Sequence, residues 1–204
     1  MKLYFSPGAC SFSPHIVLYE LGLPFDSEKV DLGAKKTKSG ADYRAINPKG
    51  AVPALQLDDG QVLTEGAAIV QYLADRKPES KLAPAAGTME RYRLQEWLNY
   101  IASDFHKAFS PLFNLKMPDE GKQMAKDLIA TRLDYFGKAL EKRQYLMGDT
   151  FTVADAYLFT ILTWAAGMKF DLSKWPAVQA YYERVGARPG VKAAQQAEAL
   201  AKAA

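Results

Sequence analysis

Cys10 is the only cysteine among 204 residues, and its neighbours place it where a thiol can react. It follows the apolar run Leu3-Tyr4-Phe5 and the turn-forming Ser6-Pro7-Gly8-Ala9. Just beyond it, Ser13-Pro14 reads as a helix start with Pro14 in the first turn. The positive end of a helix dipole favours thiolate over thiol, and the thiolate is the nucleophile. The competing reading is a small apolar side chain filling a half-buried loop.

Three further groups bear on that choice. Thr64-Glu65-Gly66-Ala67 leads into a helix, where the small residues leave N-terminal N–H groups open to a carboxylate. Glu65 beside them suits an ammonium, so the pair matches an α-amino acid end; a plain dipole-stabilising acid is the structural alternative. Val52-Pro53 precedes a strand, and a cis bond there would turn the Val52 backbone outward to pair with an extended peptide. Only about 5–6% of X–Pro bonds are cis, so the sequence by itself favours a rigid trans loop. Asn99, Ser103 and His106 recur at helical spacing with Lys107 adjacent, giving a polar stripe that faces either solvent or an anionic or thiolate ligand. Phe109, Leu112 and Phe113, with Trp164 on a later helix, suit either a core or an apolar pocket.

These residues need a scaffold, and the chain supplies two kinds. Residues 2–5 read as a strand, 14–21 as a helix ended by Gly22, and 27–32 as a strand. Residues 41–46 read as a short helix, and 54–57 with 61–64 as a hairpin around Asp58-Asp59-Gly60. A helix over 67–74 completes an α/β unit in the order β-α-β-α-β-β-α. Residues 76–84 have linker composition, and helices follow over about 88–108 and 119–142, after Thr152, and on either side of Arg188-Pro189-Gly190. Thr152 and Asp155 are spaced as a capping box, a structural device. The Ala-rich residues 193–204 read as a fraying helix end. Two domains are therefore expected, α/β over 1–80 and all-α over 86–204.

Composition narrows the partners. A net charge of +3 with scattered lysines calls for neither nucleic acid nor a membrane, and it suits a small anionic ligand. One cysteine excludes an intramolecular disulfide, and His15 and His106 add too little for a structural zinc site. The N-terminal apolar run meets Ser6-Pro7-Gly8 too soon for a secretory signal, so a cytoplasmic location is expected.

In order along the chain, five segments resemble the glutathione S-transferases, and the cysteine resembles the bacterial beta class. They are Ser6 to Ser11, Asn47 to Leu55, Leu63 to Ile69, the pair Trp97-Leu98-Asn99-Tyr100-Ile101 and Phe105-His106-Lys107, and Phe151 to Asp155. The resemblance implies a thioredoxin-like N-terminal domain, an all-α C-terminal domain, a homodimer, and glutathione as co-substrate with no prosthetic group or metal. It implies a cis bond at Pro53, with Val52 pairing the cysteinyl backbone of glutathione and Glu65 and Gly66 holding its γ-glutamyl end. Lys35, Ser103, His106 and Lys107 match further glutathione positions, and Asn99 matches one reaching the ligand of the partner subunit. Cys10 would lie beside the glutathione sulfur, with His106 assisting, and Phe109, Phe113 and Trp164 would line the pocket of a hydrophobic electrophile in a detoxifying conjugation.

Cys10 is followed by Ser11, Phe12 and Ser13, so two-cysteine exchange is unavailable and a thioredoxin-like oxidoreductase is disfavoured. Tyr4 is read as packing rather than as an activating hydroxyl. Thioltransferase, peroxidase or reductive dehalogenase chemistry through a Cys10–glutathione mixed disulfide is the alternative activity. A non-catalytic adaptor on the same fold is the alternative class.

Overall fold

The computed structural model describes residues 1–203. Its first part is a five-stranded mixed sheet, ordered β3-β2-β1-β4-β5. The strands are β1 (Lys2–Phe5), β2 (Asp26–Asp31), β3 (Lys36–Thr37), β4 (Ala54–Gln56) and β5 (Val62–Thr64). β1 and β2 run parallel, with Leu3 opposite Ser27, and need a crossover, which α1 (Phe12–Leu21) provides. β4 pairs antiparallel with both β1 and β5. The short helix α2 (Tyr43–Ile46) and α3 (Gly66–Asp75) complete this part. The two-residue β3 was not expected from the sequence, because a strand that short carries no alternation to read.

Alternation along β1 sorts its side chains between two faces. Leu3 and Phe5 join the main core with α1 and α3 residues, whereas Tyr4 joins a small cluster of Val30, Tyr43, Val52 and Ala54. Tyr4 is a packing residue, with its hydroxyl on Gln56.

The second part is helical: α4 (Met89–Tyr100), α5 (His106–Ala108), α6 (Ser110–Phe113), α7 (Asp119–Leu140), α8 (Val153–Gly167), α9 (Pro176–Gly186) and α10 (Pro189–Ala203). Thr88 caps α4 by accepting the Arg91 N–H. Between α4 and α5, Ile101–Phe105 form a π-helical turn, so the single long helix expected over 88–108 changes register. α8 is buried on nearly every side, and its capping carboxylate, Asp155, accepts from the Thr152 and Leu146 N–H groups and the Thr152 and Tyr181 hydroxyls. No described helix is long and apolar enough to cross a membrane.

One apolar core runs through both parts, joining Leu3, Ile16 and Val70 to Leu94, Leu158 and Val191. Polar ties reinforce it. Arg91 on α4 holds Asp75 at the end of α3, and Arg188 holds Glu20 of α1 at 2.6 Å. The Ala-rich tail is a correction to the sequence reading. It is a regular helix through Ala203 that docks on α1 and β2, with Val191, Ala194 and Glu198 buried and the Ala201 carbonyl accepting from Lys29.

Candidate functional site

Helix α1 begins two residues earlier than Ser13-Pro14 suggests, at Phe12, so Cys10 lies immediately before the N-terminal Ser11. The Ser6–Cys10 loop is held from the helical part. The Glu198 carboxylate of α10 accepts the Gly8 N–H at 2.8 Å, and Trp164 Nε1 of α8 donates to the Gly8 carbonyl at 2.8 Å. Gly8 has φ +76°, a conformation that favours glycine. The second Glu198 oxygen meets His15 Nδ1, buried in α1, at 3.2 Å.

Cys10 sits where two cavities meet. One, about 340 Å³, is lined by Asn47, Lys49, Pro53, Glu65, Gly66, Lys107 and Tyr157. The other, about 450 Å³, is lined by the Ser6–Ala9 loop, Leu32, Lys35, Gly50, Ser110, Phe113 and Trp164. Cys10, Ala51, Val52 and His106 belong to both. The first carries the charged side chains of Lys49, Glu65 and Lys107; the second has two aromatic walls, Phe113 and Trp164.

The thiolate expected from the helix dipole is not what this setting favours. Burial pushes the Cys10 thiol up to about 11, beyond what the local backbone N–H groups and Lys107 recover. Cys10 is a thiol at neutral pH and donates to the Val52 carbonyl at 3.2 Å. The Val52–Pro53 bond is cis, as the resemblance implies and against the trans default. Burial likewise holds His106 down to about 4, with Lys107 adding to the effect, so the imidazole is neutral. Its Nδ1 lies 2.8 Å from the Tyr157 hydroxyl, and Trp164 packs edge-on against the ring at 4.9 Å.

Glu65 precedes α3 at φ +69°, a left-handed conformation for a residue with a side chain. Its carboxylate holds Lys49 Nζ at 2.5 Å, and Thr64 Oγ1 shares the same ammonium at 3.0 Å. An amino group thus already occupies the place the sequence assigns to one. Lys35, also at positive φ, reaches back to the Gly50 carbonyl at 2.8 Å.

The polar stripe does not survive the π turn. Asn99 and Ser103 stay on one exposed face, where Ser103 Oγ donates to the Asn99 carbonyl, while His106 is turned by roughly a quarter turn into the Cys10 cavities. Ser103 lines a separate groove with Asp104 and Arg132, and Lys107 lies between that groove and the site. Phe113 and Trp164 line the larger cavity, whereas Phe109, expected beside them, is fully buried behind Trp164 against Phe105. Lys49, Ser110, Tyr157 and Glu198 were missed. Tyr157 was findable: it stands seven residues before Trp164, on the same face of α8.

Family models described as the glutathione S-transferase N-terminal and C-terminal domains match residues 8–76 and 100–189. The chain belongs to the glutathione S-transferase family. A glutathione S-transferase, GstA, of Escherichia coli O157:H7 is 46% identical across 98% of this chain and all of its own. The chain is also similar to two solved structures. BphK, a bacterial transferase in a ternary complex, is 56% identical, with TM-score 0.96 over 98% of this chain and 100% of its own. A beta-class transferase of Sphingomonas chungbukensis is 48% identical, with TM-score 0.95 over 97% and 98%. The thioredoxin-like sheet followed by a helical domain is the fold of this family, and glutathione is the transferase's co-substrate.

Proposed function

We propose that the transferase holds glutathione extended across Val52 and joins its sulfur to a hydrophobic electrophile, aromatic or halogenated, seated against Phe113 and Trp164. The observation that carries this reading is the meeting of a charged cavity and an aromatic one at Cys10 and His106. The γ-glutamyl ammonium takes the Lys49 position on Glu65, and its carboxylate takes the N–H groups opening α3 at Gly66. Lys35 at the opposite end suits the glycyl carboxylate, and Lys107 adds positive charge near the sulfur. In this reading residues 1–80 supply most of the glutathione site and 86–204 the aromatic wall of the electrophile pocket, each side adding residues to the other's cavity.

The neutral Cys10 thiol supports a hydrogen-bonding role, S–H donated to the glutathione thiolate, in place of a mixed disulfide. The thiolate attacks carbon, a carbon–sulfur bond forms, and the leaving group departs with the bonding pair. The thiol proton is lost to solvent when glutathione ionises. Phe109 acts from behind, by fixing Trp164. Asn99 serves a homodimer by reaching the glutathione of the partner copy; exposed Met89, Tyr92, Leu128 and Tyr135 on α4 and α7 support a second copy on that side. A cytoplasmic location is part of this proposal.

Glu65→Ala removes the partner of the ligand ammonium, a charged hydrogen bond worth about 1.5–3 kcal/mol, and so should weaken glutathione roughly tenfold or more in titration calorimetry. Unchanged affinity would mean that the tripeptide lies the other way round. Cys10→Ala should keep most conjugation of an aromatic halide; complete loss would make the thiol essential.

A further inference from the structure

The Tyr157 hydroxyl has one partner among the described residues, His106 Nδ1 at 2.8 Å, and the tyrosine is only 4% exposed. Two arrangements fit that distance. In one, Nδ1–H donates to the tyrosine oxygen, and the buried hydroxyl hydrogen is left without an acceptor. In the other, the hydroxyl donates to a bare Nδ1, and both groups are satisfied. An unpaired buried donor carries the full desolvation penalty, so the second arrangement prevails.

A neutral imidazole has one N–H, and a bare Nδ1 therefore puts it on Nε2. His106 Nε2 has no protein partner among the described residues and is not sealed from solvent, unlike the Nε2 of His15. The ring bearing it lines both cavities that meet at Cys10. Trp164, packed edge-on at 4.9 Å, restricts rotation that would exchange the two nitrogens.

We propose that Tyr157 is a positioning residue: its hydroxyl donates to His106 Nδ1 and keeps the ring proton on Nε2, ready to donate to the glutathione sulfur. The part of this that concerns the reaction rests on the placement of glutathione proposed above. Burial, with Cys10 and Glu65 nearby, raises the tyrosine well above its ordinary range, so the hydroxyl keeps its proton throughout the working pH range.

The chain has only two histidines, which makes the test direct. In the full-length protein labelled with ¹⁵N-histidine at pH 7, His106 should show a protonated Nε2 and an unprotonated Nδ1. In Tyr157→Phe, which keeps the ring and removes the hydroxyl, the His106 signals should move toward a mixture of tautomers. The His15 signals should stay, reporting an intact fold. Conjugation kcat should fall roughly tenfold, the worth of one ordinary hydrogen bond, with the glutathione KM changed less than about twofold. Unchanged His106 signals would overturn the proposal. A changed tautomer with unchanged kcat would overturn the role in the reaction, and would place the failure in the contact between His106 and the sulfur. A glutathione KM raised as strongly as kcat falls would also overturn it, since Tyr157 would then act on binding.

Discussion

Burial leaves the Cys10 thiol protonated at neutral pH, and its reactivity should follow that state. Alkylation of the transferase by iodoacetamide should be slow at pH 7.5 and rise about tenfold per pH unit between pH 8 and 10, as the thiolate fraction of a group near 11 does. A rate already level at pH 8 would restore the thiolate that the helix dipole suggests. Lys49 offers a second test at this scale. Its ammonium competes with that of glutathione for Glu65, and both side chains are more than half exposed, so the pair is weak. Lys49→Met should tighten glutathione binding roughly two- to fivefold by calorimetry, within the worth of such a pair. Looser binding would assign Lys49 a contact with the ligand itself. Where Cys10 sits was legible because Pro and Gly punctuate the chain around it. Its proton was not, because burial sets it, and the groups that share both cavities with it, Val52 and His106 among them, are far from it in sequence.

Among the elements, α8 depends most on one side chain. Asp155 is wholly buried, and burial raises its pKa although four donors hold its carboxylate. Asp155→Ala should cost about 3–5 kcal/mol, or roughly 6–20 °C in a calorimetric melt, since two N–H groups and the Thr152 hydroxyl lose their acceptor and Tyr181 keeps only the Asp155 carbonyl. A loss below about 1 kcal/mol would reduce Asp155 to an ordinary cap. This cap and the hairpin at Asp58-Asp59-Gly60 were legible because each is signalled by residues a few positions apart. The π turn at Ile101–Phe105 was not, since a one-residue change of register leaves no mark on residue type. That turn separated His106 from Asn99 and Ser103. Tyr157 was passed over because α8 is buried on nearly every side, where a tyrosine reads as core unless its seven-residue spacing to Trp164 is used.

At the scale of the whole molecule, the helical part does more than cover the sheet. Glu198 and Trp164 grip one residue, Gly8, by its N–H on one side and its carbonyl on the other, two residues before Cys10. Glu198→Ala should lower stability by about 1–3 kcal/mol in urea unfolding, because Gly8 N–H and His15 lose a buried acceptor. Conjugation should fall as well, through a looser loop. Full activity in a destabilised Glu198→Ala would show the loop to be held well enough by Trp164 alone. The tail was misread as fraying because alanine runs say little about what a helix docks against; only the buried Glu198 betrays it, and a lone acid in a polar tail looks solvated.

The same grip sets an order of events on the ribosome. Gly8 leaves the exit tunnel long before residue 198 has been synthesised, so the cysteine loop must wait for nearly the whole chain before its clamp can close. A prematurely ended polypeptide can possess Cys10, Val52 and Glu65 and still lack a finished site, which makes completion of translation a precondition for chemistry at the first turn.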